Sequence, residues 1–120
     1  MKIAFTTAGS DLDAPLDSRF GRAPRFLVYD LESETFEAVD NRRSIDAARG
    51  AGIQSAETVA RLRAECVVTG HCGPKAFRVL SAAGIRVFTT DEATVGEALA
   101  RFRSGQLVEA RSADVEGYWA

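Results

Sequence analysis

Among 120 residues the chain has three prolines, two cysteines, one histidine and one tryptophan. Two cysteines are too few for a disulfide framework, and Cys66 and Cys72 form no C-x-x-C pair, so the usage fits a reducing compartment. No stretch rich in Pro, Gly or Ser and no internal repeat interrupts the chain, which excludes collagen-like and low-complexity classes. No apolar run reaches the 18 residues that a membrane-spanning helix needs. The formal net charge is only -2, so no strong field draws nucleic acid or an anionic membrane toward it. The N-terminus, Met1-Lys-Ile-Ala-Phe-Thr-Thr7, lacks the n-region, apolar h-region and cleavage site of a secretory signal. These absences lead us to expect a cytoplasmic protein with no nucleic-acid or membrane partner; its oligomeric state is left open.

What is present is ordinary globular material, 46% hydrophobic and 27% charged. That suits a single domain over 1–120, with a core to about residue 107 and a tail at 108–120. Three strands open the chain: Lys2 to Thr7, Arg25 to Leu31, and an alternating segment Glu34 to Asp40. The short Glu32-Ser33 turn pairs the last two as a hairpin. Helices then alternate with strands. Ile53, Ala56, Val59 and Ala60 mark a helix to about Ala64, followed by the strand Glu65 to Thr69. Ala76, Val79, Leu80 and Ala83 mark a second helix capped by Gly84. The strand Ile85 to Phe88 follows, then a third helix over Val95, Ala98, Leu99 and Phe102, closed by Gly105. The pattern predicts an α/β fold with a five-stranded mixed sheet ordered 3-2-1-4-5, in which strand 2 is antiparallel and helices cover the sheet.

Such a sheet locates a site before any chemistry is considered. In open α/β sheets ligands bind beyond the carboxyl ends of the strands, where the winding direction switches. Here that is the crevice between strands 1 and 4, bordered by the loops Ala8 to Pro24 and Gly70 to Pro74. The second loop reads Thr69-Gly-His-Cys-Gly-Pro-Lys75 and runs straight into a helix. Pro74 suits the first helical turn, the glycines permit close backbone approach, and a helix N-terminus favours anions. His71 and Cys72 place an imidazole and a thiol there, a donor pair suited to iron, copper or zinc. Two ligands cannot complete a closed zinc site, which leaves an open site holding a preformed cluster. A histidine in a turn is also a common surface residue, and a cysteine a common small core residue.

The first loop carries Ser18-Arg-Phe-Gly-Arg-Ala-Pro-Arg-Phe26. Arg19 and Arg22 can pair with an anion while Phe20 walls it from water; alternatively Phe20 plugs the core and the arginines are solvated. A thiol enzyme built on Cys72 lacks a second histidine as base. A carboxylate nuclease built on Asp11, Asp13, Asp17, Asp30 and Asp91 is disfavoured because Asp30 ends an antiparallel strand. A metal-free interaction module, using the edge strand and the Tyr118-Trp119 tail, is the alternative to a carrier.

Ser18-Arg-Phe-Gly-Arg-Ala-Pro-Arg-Phe-Leu-Val-Tyr-Asp30, Thr69-Gly-His-Cys-Gly-Pro-Lys-Ala76, Leu80-Ser-Ala-Ala-Gly-Ile-Arg-Val-Phe88, Thr94-Val-Gly-Glu-Ala-Leu99 and Gly105-Gln-Leu107 resemble, in order and spacing, the dinitrogenase iron–molybdenum cofactor biosynthesis family. The family includes nitrogenase cofactor carriers and orange-protein relatives. The resemblance implies a ribonuclease-H-like three-layer fold without nuclease activity. It also implies a binding protein, not an enzyme, working with cofactor-assembly proteins. Its cargo would be a non-covalently held iron–sulfur, iron–molybdenum or molybdenum–copper cluster. The matching positions are Phe20, Gly21 and Arg22 in the first loop and Gly70 to Gly73 in the second. Metal ligation by His71 and Cys72 is a reading of their chemistry and is not implied by the resemblance.

Overall fold

The computed structural model describes residues 1–42 and 50–111. The Tyr118-Trp119 tail lies outside the described residues. In chain order the elements are β1 (Lys2–Thr7), a single 3-10 turn (Phe20–Arg22), β2 (Arg25–Asp30), β3 (Thr35–Asp40), α1 (Ala51–Arg61), β4 (Cys66–Thr69), α2 (Pro74–Ala82), β5 (Arg86–Thr89), α3 (Val95–Arg103) and β6 (Val108–Glu109). They build one mixed sheet ordered β3-β2-β1-β4-β5-β6. β2 runs antiparallel to β1 and β3, β4 runs parallel to β1 and β5, and β6 runs antiparallel to β5.

Among the described residues the expected five strands are therefore six. β6 is two residues long, too short to show an alternating pattern, and its Val108 is exposed. Pairing holds it in place: the Ala110 N–H donates to the Val87 carbonyl at 2.8 Å, and Arg86 meets Glu109 at 2.7 Å. Two boundaries also shift. The hairpin turn spans four residues, 31–34, because the Asp30 carboxylate accepts the Glu32 N–H and Glu34 takes a left-handed conformation (φ 58°). The first helix stops at Arg61, because Arg63 turns the chain at φ 62°.

β1 is buried from Ile3 to Thr7, as expected of a strand covered on both faces. Side chains alternate across the sheet, and this divides the core in two. Ala4, Phe26, Val28, Val67 and Val87 pack under α1 (Ala56, Val59) and α2 (Ala76, Leu80). Ile3, Phe5, Leu27, Val68 and Phe88 pack under α3 (Val95, Ala98, Leu99). α1 buries the small residues Gly52, Ser55 and Ala56 with Val59, while Ile53 sits at the margin. Ser55 accepts a 3.0 Å hydrogen bond from the buried Asn41 amide, which also donates to the Ala23 carbonyl.

The long loop after β1 positions everything at the carboxyl end of the sheet. Leu12 and Leu16 anchor it on the α3 face and Phe20 anchors it on the α1–α2 face, so the loop crosses the sheet's end. The Asp17 N–H donates to the Thr6 carbonyl, and the Thr6 hydroxyl donates to the Asp17 carbonyl, both at 2.7 Å. The same hydroxyl shares a 2.8 Å hydrogen bond with that of Thr69 at the end of β4. The loop then lies directly on Gly70. A Cβ there would stand 2.6 Å from Ser18 Cα and 2.7 Å from the Ser18 carbonyl oxygen. Gly70→Ala therefore forces backbone from backbone. We predict a loss of about 2 kcal/mol, in the range of overpacked sites, seen as a lower urea midpoint. An unchanged midpoint would show that the loop is not docked there.

Candidate functional site

β1, β4 and β5 are parallel, so their carboxyl ends share one edge of the sheet. The crevice between β1 and β4 lies at this edge, but the chain covers it. Arg19 pairs with His71 as an isolated parallel bridge, and the Phe20 N–H donates to the His71 carbonyl at 3.1 Å. The open space is displaced by one strand. A cleft of about 430 Å³ lies between this covering segment and the end of β5, lined by Leu16, Ser18, Gly70, His71, Thr89, Thr90, Asp91 and Glu92.

The structure separates the residues singled out in the sequence. His71 is exposed and, with Gly70, lines the cleft. Cys72 follows it but points inward: it is 1% exposed and belongs to the core cluster with Phe20, Ala76 and Leu80. Phe20 is also 1% exposed, with its ring 5.6 Å from that of Phe26; it plugs the core and does not wall the cleft. Gly21 is buried in the 3-10 turn, and Arg22 ends that turn exposed, outside the cleft lining. Gly73 is the residue before α2, with Pro74 in the first turn, and its carbonyl accepts the Phe77 N–H at 2.9 Å.

Thr89, Thr90 and Glu92 escaped the sequence reading, although β5 was recognised, and Asp91 entered it only as a carboxylate of the disfavoured nuclease. A signal was available, since a strand parallel to β1 and β4 delivers its following loop to the same sheet edge. This loop is braced on several sides. The Thr90 N–H donates to the Thr69 carbonyl at 3.0 Å, the Glu92 N–H donates to the Thr90 hydroxyl at 3.3 Å, and the Ala93 carbonyl accepts the Leu16 N–H at 3.0 Å. Glu92 is neutralised by Arg101, 2.7 Å away on α3. Thr94 caps α3 by accepting the Glu97 N–H at 3.1 Å.

The cleft therefore offers an imidazole, hydroxyls, glycine backbone and two carboxylates, with no lysine or arginine among the described residues of its lining. Among the described residues no three His, Cys, Asp or Glu side chains converge to hold a metal ion. Such a donor set does not build a closed site. It suits a preformed group that brings its own ligands and takes at most one or two from the protein. Cys66 is far from this role. It opens β4 with no exposed surface, and burial pushes its thiol pKa up. Asp30 lies opposite Lys2 in the β1–β2 register, at the other end of the sheet from Asp91.

The family model described as dinitrogenase iron-molybdenum cofactor matches residues 1–105. Among solved structures, the apo form of the orange protein from Desulfovibrio gigas is 43% identical and superposes with a TM-score of 0.91, covering 95% of this chain and 96% of that one. A Thermotoga protein provisionally named NifB is 32% identical, with a TM-score of 0.80 over 95% and 98% of the two chains. An uncharacterized protein of Methanocaldococcus jannaschii is 26% identical over 95 residues, 77% of this chain and 80% of that protein.

The burial of both thiols yields a direct test. In the folded protein, iodoacetamide should leave Cys66 and Cys72 unmodified at neutral pH, because reactivity needs an accessible thiolate; both should label in urea. Mass spectrometry showing Cys72 alkylated in the native state would place its sulfur in the cleft instead.

Proposed function

This chain belongs to the dinitrogenase iron–molybdenum cofactor family, which ties it to nitrogenase-type cofactor biosynthesis or binding, and from that premise we propose that it carries a preformed metal–sulfur cluster in the cleft at the end of β4 and β5. In this reading the protein is a carrier and not a catalyst. It receives an iron–sulfur or molybdenum-containing cluster from one cofactor-assembly protein and yields it to another in the cytoplasm. The observation that carries the reading is the pairing of His71 with a hydroxyl- and glycine-lined cleft, on a fold shared almost end to end with the orange protein.

Each wall has a task in this account. His71 supplies a ring nitrogen to a metal of the cargo, a borderline donor that suits iron and copper. Its main chain is pinned by Phe20 and Arg19, so little backbone freedom is lost on binding. Ser18, Thr89 and Thr90 present hydroxyl donors toward sulfide or oxo atoms, and Leu16 supplies an apolar surface. A cluster held through one side-chain ligand and several hydrogen bonds can leave without the protein unfolding, as delivery requires. Cys72, buried in the core, is not a ligand in this account.

Protein isolated without oxygen should contain iron, molybdenum or copper together with sulfide and should absorb in the visible. His71→Ala should retain roughly tenfold less metal, the loss typical when a ligand is removed. Equal metal content in that variant would remove His71 from the ligand role. A wild-type protein that neither contains nor takes up any metal–sulfur species would overturn the carrier reading.

A further inference from the structure

The charged side chains that line the cleft, Asp91 and Glu92, are both acidic, an unexpected lining for a site assigned to anionic cargo. The two are not equivalent. Glu92 is only partly exposed and its carboxylate lies 2.7 Å from the Arg101 guanidinium, so its charge is largely cancelled. Asp91 is exposed, and no salt bridge to it occurs among the described residues. It stands in the segment after β5, whose backbone is held on both sides of it by Thr90–Thr69, Glu92–Thr90 and Ala93–Leu16 hydrogen bonds. The backbone that brings Asp91 to the cleft is thus held by the fold.

We propose that Asp91 is a specificity-determining residue that excludes compact oxyanions from the cleft. The inference rests on the reading that the cleft holds a metal–sulfur cargo. Glycine backbone and hydroxyl donors alone would bind a small tetrahedral oxyanion as readily as a cluster. A negative charge lining the same cleft as His71 penalises each anion according to its charge density and proximity. A small oxyanion concentrates its charge near the carboxylate. A larger sulfide-rich group spreads the same charge over polarisable atoms and makes apolar contact with Leu16. Discrimination by a repulsive element is a general route to specificity, and it accounts for a carboxylate at a site that would bind anions more tightly without one.

The test compares molybdate and tetrathiomolybdate, dianions that differ in size and softness, by titrating each into wild type, Asp91→Asn and Asp91→Glu at low and high salt. Asp91→Asn should tighten molybdate about tenfold at low ionic strength and tetrathiomolybdate by a smaller factor. The gain should shrink in high salt as the charge is screened. Asp91→Glu, which keeps the charge, should behave as wild type. No gain for either anion in Asp91→Asn would overturn the proposal. Weakened tetrathiomolybdate binding would also overturn it, since the carboxylate would then be a contact and not a barrier. A wild type that fails to hold tetrathiomolybdate counts against the cargo reading, while a molybdate gain in Asp91→Asn still supports the charge barrier.

Discussion

The main chain of Ser18 rests on Gly70, and the rest of the site depends on that contact. It is possible only because position 70 has no side chain. It aligns Arg19 and Phe20 beside His71 and lets the Phe20 N–H reach the His71 carbonyl. Without it the long loop could not cross from its leucine anchors on one sheet face to Phe20 on the other. The Thr6, Thr69 and Asp17 hydrogen bonds beneath it satisfy polar groups that would otherwise be buried unpaired. The effect is to fill the crevice between β1 and β4 with the protein's own backbone and to move the accessible cleft toward β5.

This displacement changes the chemistry on offer. A crevice between the two predicted loops would bring the arginines of the first loop face to face with the His71-Cys72 pair. The observed cleft keeps His71, loses the cysteine to the core, leaves Arg22 outside, and gains the hydroxyls and carboxylates that follow β5. With both thiols buried and one imidazole exposed, the side chains offer too few accessible ligands to assemble a cluster from free ions, so the proposed cargo is one made elsewhere, with His71 as its side-chain ligand. A carrier gains from that restraint, because a cargo gripped by four protein ligands would be slow to leave.

Much of this was legible in the sequence. The buried apolar run of β1, the stripe of α2 and the glycines at 84 and 105 identified their elements directly, and the order of strands through β5 followed from the rules for crossovers and hairpins. β6 was not legible, because two residues carry no period and its place in the sheet comes from the Val87 carbonyl and from Arg86. The site was legible as an edge of the sheet and as His71 and Gly70. For Cys72 and Phe20 the sequence left cleft and core both open, since adjacent residues in a loop have no fixed phase, and the structure turns both inward. Nor could the sequence show that Gly70 serves the chain's own backbone, because a glycine reads the same whether a ligand or a loop approaches it.

The central claim is that cargo binds in the cleft between the docked loop and the end of β5. Amide chemical shifts of the 15N-labelled protein, recorded as tetrathiomolybdate is added, test it most directly. The account predicts shifts concentrated at Ser18, Gly70, His71 and Thr89 to Glu92, with Phe36 and Glu37 on the edge strand unmoved. Shifts centred on the edge strand, or none anywhere at saturating probe, would contradict it.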